Sequence, residues 1–222
     1  MNIEMISSGL LFWFIIIILV LASERFGYEI FSDLDSETKL QKINDNQKKF
    51  KIGISLVLIV HITIITLAIM LFIAFNSYNI ILAVVWTISR ITEGAIQIYS
   101  KKIYWGLLNL AKQYSGSSGA EKKALIDLGR DILKTKNSVF SFAQILFSIG
   151  TLVYCMLFVI YGVVPLIIGW FGFVSAIIYG FGNGIQLVKP KFQALWNLGG
   201  LLIWIFEMIL GVWLLYFGIF MT

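Results

Sequence analysis

Charge is what this sequence has least of. Only 13% of its 222 residues are Asp, Glu, Lys or Arg, where a soluble domain carries about 25%. Apolar side chains make up 59%, against about 45–50% in soluble domains. So few polar residues cannot clothe a water-facing exterior, whereas a lipid-facing one needs no more. Cysteine is reduced to Cys155, which excludes an intrachain disulfide. Lying in an apolar run, it reads as a small buried hydrophobe. Histidine is also single, His61. No Cys/His grouping therefore has metal-ligand spacing, and a Ser/His/Asp set has no base outside the apolar stretches. The spacing Gly180-x-Gly182-x-Gly184 falls inside an apolar run, so it does not open a soluble nucleotide-binding helix. No catalytic, metal-binding or cofactor-binding set can be assembled, and the chain is expected not to be an enzyme.

What is present is a series of apolar stretches. A membrane-spanning helix needs about 20 mostly apolar residues, and six stretches qualify: 6–22, 53–75, 78–99, 138–161, 164–188 and 194–220. The first lacks the positive flank of a signal peptide, with Glu4 as the charge before it. It reads as an uncleaved span. The expected fold is an all-α membrane protein. A single domain over 1–222 forms a six-helix bundle, with amphipathic helices in its long loops.

The connections alternate. Asn76-Ser77 and Gly162-Val163 make tight hairpins, the second followed by Pro165 at a helix start. The intervening connections are long and basic. Of 17 Lys and Arg residues, Arg90 lies in a span and the other sixteen all fall on one side: in the two long loops and at Lys189 and Lys191. The termini and the hairpins hold none. Cytoplasmic loops carry the basic excess, which places both termini outside and the long loops in the cytoplasm. The net charge of +5 then faces anionic headgroups rather than nucleic acid.

The long loops are patterned. Ala124, Leu125, Leu128, Ile132 and Leu133 recur at helical spacing among charged residues, after the flexible Gly116-Ser117-Ser118-Gly119. Ile30, Phe31, Leu34, Leu40 and Ile43 give a weaker version in the first loop. Such helices commonly lie at headgroup level or cover the mouth of a bundle. In the fifth span, Gly172, Ala176, Gly180 and Gly184 recur every four residues. Small residues on one stripe allow the close approach that helices in lipid need. The stripe serves packing within the monomer, with a homo-oligomer face or a membrane partner subunit as the alternative.

Four ionisable residues lie inside the spans: His61, Arg90, Glu93 and Glu207. A charge at the bilayer centre costs about 2.5–3.5 kcal/mol or more, so such residues are expected to face the bundle interior and to pair. Arg90 and Glu93 are three apart and share a helix face. At ~1.5 Å per residue, Arg90 and Glu207 both lie roughly 20 Å into their spans, near the midplane. One Arg with two Glu leaves one negative charge in excess, which a proton on His61 or on a glutamate would balance. The set fits a proton or ion relay or a polar ligand pocket. It equally fits a buried ion-pair network that fixes helix register.

Several stretches carry a family likeness: Asn46-Gln47-Lys48-Lys49-Phe50-Lys51-Ile52-Gly53, Asn79 with Ile80-Ile81-Leu82-Ala83, and Arg90-Ile91-Thr92-Glu93-Gly94-Ala95. To these add Gly162-Val163-Val164-Pro165-Leu166 with Gly169-Trp170, and Phe206-Glu207 with Gly211-Val212-Trp213-Leu214-Leu215 and Gly218. From about Asp33 to Phe217 the chain resembles a prokaryotic integral membrane family, domain-of-unknown-function family 4386. The resemblance implies architecture and no activity. Two functional readings stay open. One is a small transporter or proton-linked permeation unit using the midplane cluster. The other is a non-transporting accessory subunit or sensor acting through its amphipathic loops. A cavity reaching His61 and Glu93 would favour the first, and a closed bundle the second.

Overall fold

The computed structural model describes residues 2–32, 35–190 and 192–221. Among them are seven helices and no strand: α1 (Ile3–Glu24), α2 (Ser36–Asp45), α3 (Gln47–Phe75), α4 (Ile80–Gly116), α5 (Gly119–Tyr161), α6 (Leu166–Val188) and α7 (Ala194–Phe220). All but α2 are long and apolar enough to cross a membrane. The chain is thus an all-α, multi-pass membrane protein whose outer surface meets lipid.

Local chemistry sets the helix ends. Asn2, Asp35, Asn46 and Asn79 each accept a hydrogen bond from a backbone N–H of the first turn they cap, which satisfies donors the helix leaves free. Gly162 ends α5 in the left-handed region, φ 61°. The Val163 N–H then folds back onto the Phe158 carbonyl at 3.2 Å, a C-terminal stop that glycine permits at no steric cost. Pro165 follows directly as the N-cap of α6.

The six spanning helices form a ring in which α1, α3, α4, α5, α6 and α7 each touch their two neighbours, α7 closing back on α1. Its two ends differ. The hairpin end, which also holds the chain termini, is filled by Phe75, Trp86, Tyr154, Phe158, Leu210 and Leu214. Trp86 stacks on Tyr154 with centroids 4.8 Å apart. The opposite end is extended. With 37 and 43 residues, α4 and α5 are about 55 and 65 Å long, whereas about 30 Å crosses the hydrocarbon core. The excess projects as an antiparallel pair.

This changes the reading of 101–137. The amphipathic segment is helical, but it continues α4 and α5 and does not lie separately on the membrane. Its apolar side meets protein: Leu107, Leu108, Ala111 and Leu133 pack with Leu40 and Ile43 of α2. Glycine at 129 lets α2 approach, since a Cβ there would sit 3.2 Å from that of Ser36. Leu128 is exposed. In the first loop only Leu40 and Ile43 join a helix; Ile30 and Phe31 precede it, and Leu34 lies outside the described residues, as does Lys191.

The small-residue stripe of α6 also needs correcting. A Cβ on Gly172 would lie 2.3 Å from the Phe206 ring and 2.7 Å from the Cys155 sulfur, and one on Gly180 would lie 3.0 Å from Ser148. Ala176 is fully buried. These three face the interior, whereas Gly184 meets nothing within 4 Å. A four-residue step overshoots the 3.6-residue turn by about 40°, so three steps carry Gly184 about 120° off the face. The tightest crossing lies elsewhere. Cβ atoms at Gly182 and Gly199 would lie 2.8 Å and 2.5 Å from the backbones of Trp196 and Tyr179, locking α6 to α7.

Candidate functional site

The four intramembrane ionisable residues come from three helices: His61 from α3, Arg90 and Glu93 from α4, Glu207 from α7. All four line one cavity of about 430 Å³. Every spanning helix contributes to its wall. Ile15 and Val20 come from α1, Phe140, Gln144 and Phe147 from α5, Tyr179 from α6, and Trp196, Asn197 and Trp204 from α7. The walls are mainly apolar, with the four ionisable residues set among them.

Arg90 and Glu93 are buried and lie at ion-pair distance, Nη1 to Oε2 3.2 Å. The orientation makes no hydrogen bond between these two atoms, and neither finds another partner among the described residues. The charges attract at this range, and the pair leaves hydrogen-bonding capacity open. The guanidinium carbon sits 4.2 Å from the centre of the Phe147 ring, a cation–π arrangement that offsets part of the cost of burial. Gly94, one residue on, brings α4 against α3. A Cβ there would fall 2.7 Å from Ile65.

Glu207 is not salt-bridged: among the described residues no cationic nitrogen lies within 4.0 Å of its carboxylate. The structure brings it into the same cavity as Arg90 and not into contact pairing with it. His61 is 93% buried, from a relative exposure of 7%, and neither ring nitrogen has a hydrogen-bond partner. An imidazole so placed retains both an acceptor and a donor. Buried polar atoms are almost always satisfied, so these open nitrogens in a cavity wall mark a place where a ligand or water would bond.

Beyond the cluster, toward the hairpin end, lies a small cavity of about 20 Å³, bounded by Leu71, Trp86, Tyr154 and Phe206 together with Arg90 and Glu207. That holds about one water molecule. The two cavities share Arg90, Phe147 and Glu207 in their walls, and the rings of Trp86, Tyr154 and Phe206 pack behind the cluster.

At the extension end the cavity rests on a second polar group. Tyr28 forms part of the lining, and Tyr104 donates a hydrogen bond to its oxygen at 2.8 Å. Lys101 donates to the same oxygen at 3.2 Å. Burial is the larger influence on Tyr28 and pushes its phenol up to about 12; the bond from Tyr104 opposes it. Lys136 donates to the carbonyls of Glu29 and Ile30 and to the Ser32 hydroxyl. Asn137 exchanges hydrogen bonds with the Ser32 backbone, and Phe31 packs on Trp196 with centroids 5.4 Å apart. The segment after α1 is thereby tied across α4, α5 and α7.

Lys101 and Lys136, read from the sequence as loop charges facing headgroups, are instead almost fully buried. Their spacing resembles that of the exposed lysines around them, and only the docking of residues 28–32 distinguishes them. Gln144, Tyr179 and Asn197 were likewise missed as lining residues. Asn183 and Gln186 donate to backbone carbonyls, of Tyr179 and Phe192. Among the described residues no group of three His, Cys, Asp or Glu side chains could hold a metal ion.

A family model described as a domain of unknown function, DUF4386, matches residues 7–218. Comparison with curated proteins and with solved structures finds no match.

Proposed function

We propose that this chain, which belongs to the DUF4386 family, is a small transporter or proton-linked permeation unit working through the polar cluster. The observation that supports it is the cavity of about 430 Å³ lined by His61, Arg90, Glu93 and Glu207 and walled by all six spanning helices. Open toward one end and closed by packed rings toward the other, it has the form of one state of an alternating-access cycle, in which a midplane site is exposed to one side at a time. The carboxylate of Glu207, without an ion-pair partner, is the proton or cation carrier in this reading. Arg90 holds Glu93 and fixes the local charge, and His61 offers a relay. The titratable and charged groups around the cavity are these four, Tyr179 of α6, and Glu24 and Tyr28 nearer the mouth. By the basic asymmetry of the sequence, the mouth faces the cytoplasm.

The accessory or sensor alternative relied on amphipathic faces offered to a partner. Those of α2, α4 and α5 are largely used against one another, which weakens it. The test is flux. Purified protein in liposomes loaded with the pH dye pyranine is placed under an imposed potassium potential. The expected result is dye acidification faster than in empty liposomes, with the excess removed by Glu207→Gln. Equal rates for empty, wild-type and variant vesicles would refute the proposal.

A further inference from the structure

We infer that the cavity takes a lipophilic cation, with its positive centre at Glu207 and its apolar body against the walls. The inference rests on the permeation reading above and names its substrate class.

The cavity lies where α1 and α7 part. Toward the hairpin end they are locked. The Asn2 N–H donates to the Gly218 carbonyl at 3.1 Å, and a Cβ on Gly9 would lie 2.8 Å from the Gly211 carbonyl oxygen. Toward the extension end the same helices part around the cavity, which both line. The exposed lining residues there include Val20 and Glu24 on α1 and Asn197, Leu201 and Trp204 on α7, so the mouth is part polar and part apolar.

The charge of the ligand follows from the deep end. One guanidinium faces two carboxylates, and Glu207 is without a partner within ion-pair range among the described residues. The cavity wall supplies Phe147, Tyr179, Trp196 and Trp204, whose ring faces attract a cation. His61, buried with both nitrogens unbonded, adds an acceptor. A ligand with a positive centre and an apolar body satisfies these features at once: its charge meets Glu207 and its body the aliphatic and aromatic walls. A lipophilic anion would place its charge between Glu93 and Glu207.

The experiment measures equilibrium binding of tetraphenylphosphonium to purified protein in detergent, with tetraphenylborate as the anion of matching shape. The expected result is saturable binding of the phosphonium, at least about tenfold tighter than the borate, which is the free-energy scale of a single close charge contact. Glu207→Gln should lose that preference while its melting midpoint stays at the wild-type value, and Glu207→Asp should keep it. Gly200 lines the mouth, and a Cβ there meets only the Tyr179 ring at 3.6 Å. Gly200→Leu should therefore fold normally and weaken phosphonium binding. No saturable binding, equal binding of both ions, or phosphonium binding indifferent to Glu207→Gln would overturn the cation assignment. If the dye-loaded vesicles still show Glu207-dependent flux in that case, the permeation reading survives without it. If they do not, both readings fall.

Discussion

Arg90 keeps its charge wherever the fold puts it, because a guanidinium does not deprotonate in a protein. Its partner is decided by geometry: Glu93 lies at 3.2 Å and Glu207 lies beyond ion-pair range. Breaking a buried pair from one side costs about 3–5 kcal/mol, more than removing both partners. Arg90→Ala should therefore lower the melting midpoint in detergent strongly. Adding Glu93→Ala should restore part of the loss, whereas adding Glu207→Ala should restore less. Equal recovery with either glutamate would show that the guanidinium is shared. Tyr28 gives a second residue-scale test. Its phenol is raised from the ordinary 10.0 to about 12, so the folded state holds its proton more tightly than the unfolded chain. The associated stability is fully present below pH 10 and is lost as pH rises through about 12. Between those values, unfolding midpoints of the wild type should fall more steeply with pH than those of Tyr28→Phe. Parallel slopes would remove Tyr28 from the account.

Among the elements, the α6–α7 crossing carries the sharpest packing contrast, between neighbouring glycines of one helix. A side chain at Gly199 meets the Tyr179 backbone at 2.5 Å, and one at Gly200 meets only a ring edge at 3.6 Å. Backbone cannot yield as a flexible side chain can. Gly199→Leu should fail to extract as a monodisperse species, and Gly200→Leu should extract and melt like the wild type. Size-exclusion profiles of the two variants check this directly. The same crossing shows what periodicity misses. The stripe Gly172, Ala176, Gly180 was legible because small residues stand out in an apolar helix. The closer contact at Gly182 was not, because which glycine meets a neighbour depends on the approach of α7, and no spacing within α6 encodes that. The extension of α4 and α5 was hidden for a related reason. Hydropathy marks where a helix leaves the membrane, and charged amphipathic sequence beyond it reads as loop although the backbone hydrogen bonding never stops.

For the whole molecule, six spans and the polar residues within them could be read directly, since a 20-residue apolar run and an ionisable residue inside it are local signals. That His61, Arg90, Glu93 and Glu207 share one cavity is a matter of ring order, which places α3, α4 and α7 around a common interior and which no local signal carries. The lysine-bearing floor, at Lys101 and Lys136, depends in turn on where residues 28–32 dock. The cluster lines a cavity and does not close upon itself. Glu207→Cys places a thiol at the deep end of that cavity, while native Cys155, fully buried against Gly172, serves as the unreactive internal reference. In inverted membrane vesicles, where the cytoplasmic side faces the medium, a small charged methanethiosulfonate should label the variant to one thiol per chain and leave the wild type unlabelled. In right-side-out vesicles the impermeant reagent should label neither. A Glu207→Cys thiol that resists the reagent from both sides would contradict the account, and would return the cluster to a closed ion-pair network.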